Sequence, residues 1–131
     1  MIFLDTHAWL WWVSNPELLS KKAQKAIDTA VSEKAVCIST ISSWEVALLV
    51  SKGRLKLSLD VQDWIDKTEA LPFVNFIPIN NRVAVKSVHL PGNLHPDPAD
   101  RIIVASALTM DATIITKDKK ILNYGHVKTV W

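Results

Sequence analysis

Short apolar runs recur along this chain at residues 2–5, 35–39, 76–79 and 113–116, with a further one at 127–130. A longer stretch with turn signals and helical periodicity separates most of them. That alternation confines the chain to few architectures, because parallel strands need a crossover and the usual crossover is a helix. The expectation is an α/β fold: a central, mainly parallel sheet with helices on both faces, built as one domain over residues 1–131. A length of 131 residues suits one domain, and 49% hydrophobic residues supply a core without cross-links.

Helix signals fill the gaps. Thr6 is placed to cap a helix that runs through Trp9, Trp11 and Trp12 to about residue 13, where Asn15-Pro16 breaks it. Ser20 is placed to cap a second, with Ala23, Ala26, Ile27 and Ala30 on one face to about residue 31. Ser42 opens a third, ended by Gly53. Residues 60–70 form a fourth, stopped by Pro72, and Asn80 or Asn81 caps a fifth to about residue 88. A polar loop over 90–97 leads to Pro98, well placed in the first turn of a buried helix to about residue 110.

Composition excludes several classes. Cys37 is the single cysteine, so no internal disulfide forms; its apolar surroundings mark a core residue. No apolar stretch reaches the roughly 20 residues that span a bilayer, and no basic leader precedes the first strand. A soluble, cytoplasmic protein is expected. The net charge of +2 permits a nucleic-acid partner without demanding one.

In an open parallel sheet, ligands bind beyond the carboxyl ends of the strands. Four acidic residues fall at that edge. Asp5 closes the first apolar run and Asp118 follows the run at 113–116; Glu45 and Asp100 lie in first turns of helices. Converging carboxylates repel, so a cation is expected among them. Oxygen ligands select hard ions, Mg2+ or Mn2+, which polarise a phosphodiester and lower the pKa of water. Local readings compete: Glu45 completes a capping box with Ser42, Asp100 complements a helix dipole, and Asp5 and Asp118 serve as turn residues. Asp97 reads chiefly as the cap before Pro98, with a role supporting the metal ligands or holding a second metal as its alternative.

These residues resemble a known family. Met1-Ile2-Phe3-Leu4-Asp5-Thr6-His7 resembles the opening of a PIN domain, and Ile41-Ser42-Ser43-Trp44-Glu45 its second acidic motif. His95-Pro96-Asp97-Pro98-Ala99-Asp100-Arg101-Ile102-Ile103 is similar to the third motif as VapC-like toxins carry it, and Thr116-Lys117-Asp118 to the fourth. The order and spacing cover essentially the whole chain. The resemblance implies a three-layer α/β/α fold and a ribonuclease dependent on Mg2+ or Mn2+. Residues matching Asp5, Glu45, Asp100 and Asp118 would bind the metal and activate water. Thr116 would support the site, and Thr6, beside Asp5, would orient it. Homodimers and a cognate antitoxin that blocks the cleft are implied as well. PIN domains also process ribosomal RNA or serve as inactive scaffolds.

An RNA substrate needs cations near the cleft. Arg101, Lys117, Lys119 and Lys120 adjoin the acidic motifs, and Lys52, Arg54 and Lys56 follow the Glu45 helix; each reads either as a phosphate contact or as a solvated charge. Arg101 has a further alternative, pairing with a carboxylate. His7 and His95 read first as structural and second as contacts to RNA or to a carboxylate. Core packing is the default for the tryptophans, Trp44 above all, with an antitoxin groove as the alternative for Trp9–Trp12. Two other functions compete. A receiver-type signalling module requires adjacent acids after the first strand and an acid ending a middle strand; neither occurs. A catalytically silent interaction domain is the other.

Overall fold

The computed structural model describes residues 1–131 and realises the alternation. Its elements are β1 (Ile2–Leu4), α1 (Thr6–Ser14), α2 (Lys21–Ser32), β2 (Val36–Ser39), α3 (Thr40–Ser51), α4 (Val61–Glu69), β3 (Val74–Ile77), α5 (Asn81–Val88), α6 (Pro98–Thr109), β4 (Thr113–Ile115), α7 (Lys119–Leu122) and β5 (Thr129–Val130). All strand pairs are parallel, in the order β3-β2-β1-β4-β5. The chain extends the sheet one way from β1 and then returns to extend it the other way through β4. The switch point therefore lies between β1 and β4, where Leu4 stands opposite Ile115.

Pleating divides the strand residues between two cores. Ile2, Leu4, Val36, Ile38 and Ile115 face a core shared with Trp9 of α1, Ala23 and Ile27 of α2, and Trp64 of α4. Phe3, Cys37 and Ile114 face the other, with Val83 of α5, Ile103 and Val104 of α6 and Ile121 of α7. This is the expected three-layer arrangement. Both faces are covered, which explains why the strands read as unbroken apolar runs.

Several boundaries move. Asp5, not Thr6, caps α1: its Oδ1 accepts from the Ala8 N–H at 2.9 Å. Ser39, not Ser42, caps α3, accepting from the Ile41 N–H at 3.2 Å, so strand passes into helix with no loop. Ser42 and Glu45 thus belong to the helix body and form no capping box. β3 ends at Ile77, two residues earlier than expected, because Pro78 has no N–H to continue a ladder. No helix is long and apolar enough to cross a membrane.

Candidate metal centre

Each acid reaches the carboxyl edge by a different local route. Asp5 leaves β1 and caps α1; only 8% of it is exposed. Its second oxygen accepts from the buried Thr116 hydroxyl at the end of β4. Thr116 Oγ1 in turn accepts from the Asp118 N–H at 3.0 Å, so one hydroxyl ties the first and fourth acidic positions across the switch point. Asp118 then caps α7, accepting from the Lys120 N–H at 2.8 Å. It is a helix cap and not a free loop residue.

Glu45 projects from the second turn of α3. Thr6 Oγ1 lies 2.5 Å from Glu45 Oε1 and 3.0 Å from Ser42 Oγ. A hydroxyl has one proton; the shorter contact takes it, and Ser42 then donates to Thr6. Thr6 was expected to orient Asp5. It holds Glu45 instead, while Thr116 holds Asp5.

Asp97 caps α6, accepting from the Asp100 N–H at 3.1 Å. Asp100, one turn in, meets His95: Nε2 lies 2.7 Å from Oδ2. The capping turn at Asp97 folds the chain so that His95 lies over the first turn of the helix it precedes. His95 is mostly buried, and its Nδ1 has no partner. Its carboxylate contact was the minor of two readings. The signal was present in the spacing, five residues across an N-cap.

Asp5, Glu45, Asp97, Asp100 and Asp118 line one pocket of about 400 Å³, together with Thr6, His7, Trp11 and Lys117. No lysine or arginine forms an ion pair with any of the five. Burial raises the pKa of Asp5, Glu45 and Asp100 above the ordinary carboxylate value, partly offset by the hydrogen bonds from Thr116, Thr6 and His95 respectively. Mutual repulsion adds to the rise: Asp118 acts on Asp5 and Asp100, and Asp100 and Asp97 act on Glu45. Ligand atoms of His95, Asp100 and Asp118 lie within 4.8 Å of one another, which suits a single cation. Carboxylate oxygens fit Mg2+ or Mn2+, while His95 Nε2, 2.7 Å from Asp100 Oδ2, is engaged by that carboxylate.

The basic residues divide. Lys117 lines the pocket; Lys52, Arg54, Lys119, Lys120 and Arg101 do not. Arg101 is committed elsewhere: Nε donates to the Ser87 carbonyl and Nη1 to the Leu94 carbonyl, both at 2.8 Å. It staples the loop that carries His95 to the end of α5 and pairs with no carboxylate. The same loop turns at Gly92, where φ is +65° and an added Cβ would come within 2.6 Å of the His126 ring. Trp44 also departs from expectation: it is 56% exposed. With α3 starting at Thr40, pointing Glu45 inward turns its predecessor, about 100° away around the helix, to the surface.

Comparison with known proteins agrees with this architecture. The family profile described as PIN domain matches residues 2–127. Ribonuclease VapC22 of Mycobacterium tuberculosis is 33% identical over 132 aligned positions, covering 99% of this chain and 98% of that protein. Among solved structures, VapBC2 from Rickettsia felis bound to a promoter DNA fragment superposes with a TM-score of 0.73 at 18% identity, covering 99% of this chain and 98% of the other. FitAcB from Neisseria gonorrhoeae gives 0.68 at 22%, covering 100% and 97%. A toxin–antitoxin complex from Klebsiella pneumoniae gives 0.66 at 22%, with the same coverage. The structural likenesses concern the fold; the family match and the 33% relative span nearly the whole chain, and this chain belongs to the PIN domain family.

Proposed function

We propose that the protein is a ribonuclease that hydrolyses RNA phosphodiesters with the help of Mg2+ or Mn2+. We further propose that it is the toxin of a toxin–antitoxin pair, a cytoplasmic homodimer restrained by a cognate antitoxin. One observation carries the catalytic reading: acids from four separate motifs meet in one pocket at the sheet's switch point, with no lysine or arginine paired to any of them. The ribonuclease relative at 33% identity supports the substrate class, and the toxin–antitoxin structures of the same fold support the partner.

In this reading Asp5, Asp100 and Asp118 hold the cation, with His95 fixing the rotamer of Asp100. The bound cation supplies Lewis acidity that polarises the phosphodiester and acidifies water. Glu45 is the base: Oε1 is held by Thr6, and Oε2, which carries no hydrogen bond, receives the proton. Asp97 shapes the site as the cap that sets the turn. Cleavage of single-stranded RNA should appear with Mg2+ or Mn2+ and vanish with excess EDTA; full activity in EDTA would overturn the metal mechanism.

The raised carboxyl pKa values carry a linked prediction. Without metal, the folded protein retains protons that the unfolded chain has released. The stability this gives is full below the unfolded values, about 4, and is lost as pH rises through the higher folded values. Metal binds the deprotonated forms, so its uptake expels protons. Mg2+ or Mn2+ should therefore raise the melting temperature more at about pH 7.5 than at about pH 5. Equal shifts at both would count against carboxylate ligation.

His95→Ala should weaken Mn2+ binding by roughly 10- to 100-fold, the usual effect of losing a group that orients a ligand. Calorimetric titration reads it directly. His95→Gln, which restores a donor toward Asp100, should recover part of the loss; unchanged affinity in His95→Ala would remove the histidine from the site.

A further inference from the structure

We propose that a crevice beside the acidic pocket is a subsite for one unstacked RNA base, with the adjoining phosphate held by Arg54 and Lys56. The inference rests on the ribonuclease reading and specifies how the substrate lies. The crevice, about 270 Å³, runs between α1 and the segment that follows α3. His7 and Trp11 line both it and the acidic pocket, so the two are continuous. Leucines 10, 49, 55 and 57 form its apolar wall.

Charge indicates the occupant. Arg54 and Lys56 line the crevice, are exposed, and pair with no carboxylate. On the acidic side of Trp11, Lys117 Nζ lies 5.8 Å from the ring centroid and is likewise unpaired. The five acids repel phosphates, so a strand that reaches the pocket needs cations on its flanks, and the two flanks meet at Trp11. An apolar wall with unpaired cations at its rim suits a polyanion with flat apolar bases better than an uncharged peptide. Trp11 packs between His7 and Trp131, with ring centroids 5.8 and 5.6 Å away, and its partly exposed ring is held before RNA arrives. Aromatic faces of this kind take bases of any sequence, because every base presents a π-face.

The test uses short labelled single-stranded RNAs, each with one abasic nucleotide, walked along the strand. Binding is read by fluorescence anisotropy with Mg2+ in the Asp5→Asn background, where cleavage is slowed by about 10³-fold and stays negligible over the measurement. One abasic position should weaken binding by roughly ten-fold. Trp11→Ala should lose a similar factor on intact RNA and show no further loss at that position. Trp11→Phe should retain most of the abasic effect, which separates stacking from misfolding. Changing Arg54 and Lys56 together to alanine, both exposed, should reduce the salt slope by about 1.4. If Trp11→Ala and the abasic lesion act additively at every position, the subsite is overturned and the crevice falls to a peptide partner. Cleavage by the wild-type protein, measured in parallel, tests the ribonuclease reading separately: cleavage with additive effects sinks the subsite alone. Absence of both RNA binding and cleavage sinks both.

Discussion

Asp5→Asn should lower RNA cleavage by about 10³-fold and, in metal-free protein at neutral pH, raise the melting temperature. The two effects have one cause. Asp5 is buried, and a carboxylate there has lost most of its hydration without gaining an ion-pair partner. Burial and, to a smaller degree, the Asp118 charge push its pKa up, so the ionised form is the disfavoured one in the metal-free protein. Asparagine keeps the shape and is as good an N-cap as aspartate: its oxygen still accepts from the Ala8 N–H. Its NH2 faces Thr116, whose oxygen can accept beside the Asp118 N–H, while the Thr116 proton gives up its carboxylate acceptor, a cost smaller than that of the buried charge. The cost of burying the charge disappears, and the negative charge that holds the cation disappears with it. A bound metal supplies several kcal/mol of transition-state stabilisation, and about 4 kcal/mol corresponds to the 10³-fold loss. The measurements are cleavage of a single-stranded RNA with saturating Mg2+ and thermal unfolding in EDTA. Retained activity would remove Asp5 from the chemistry. A lower melting temperature would show that its charge is not disfavoured.

Trp9→Ala should cost about 3–5 kcal/mol, enough to unfold much of a protein of ordinary stability. Trp9 is fully buried. Its ring packs on Trp64 with centroids 4.8 Å apart and edge-on to Phe76 at 5.5 Å, and its Nε1–H donates to the buried Thr68 hydroxyl at 3.2 Å. It joins α1, α4 and β3 over the first core, so truncation opens a cavity that three elements cannot close together. Trp44→Ala, at a residue 56% exposed, should stay within about 0.5 kcal/mol. Urea unfolding of the two variants makes the comparison. A loss below about 1 kcal/mol for Trp9→Ala would mean that the first core does not depend on this ring.

The antitoxin-groove reading for the Trp9–Trp12 cluster also divides along this line. Trp9 is core. Trp11 and Trp12 are partly exposed on α1 and pack against Trp131 and Phe73 respectively. Sequence spacing alone treats the three rings alike. Helical phase separates them, because one residue along a helix turns a side chain by about 100°. The same rotation explains Trp44: with Glu45 turned into the site, the ring one residue earlier faces solvent.

Where the physics is local, the residues were sufficient. The alternation of apolar runs and helical stretches specified a parallel sheet with two covered faces, because backbone pairing and periodicity are short-range. The strand-end positions of Asp5 and Asp118 followed from the same pattern, as did the cap at Asp97, where the donor lies three residues away. Tertiary structure decided the partnerships. Thr116 binds Asp5 across 111 residues and Thr6 binds Glu45 across 39; these pairs exist only once β4 has paired with β1 and α3 has settled beside α1. Arg101 became a staple for the His95 loop for the same reason, since three backbone carbonyls with no sequence signature converge on its guanidinium. The sequence by itself determined which residues could meet at the sheet edge. Only closure of the fold decided which hydroxyl holds which carboxylate, because a hydrogen bond is specified by ångströms and a pattern of residues along a chain is specified only by phase.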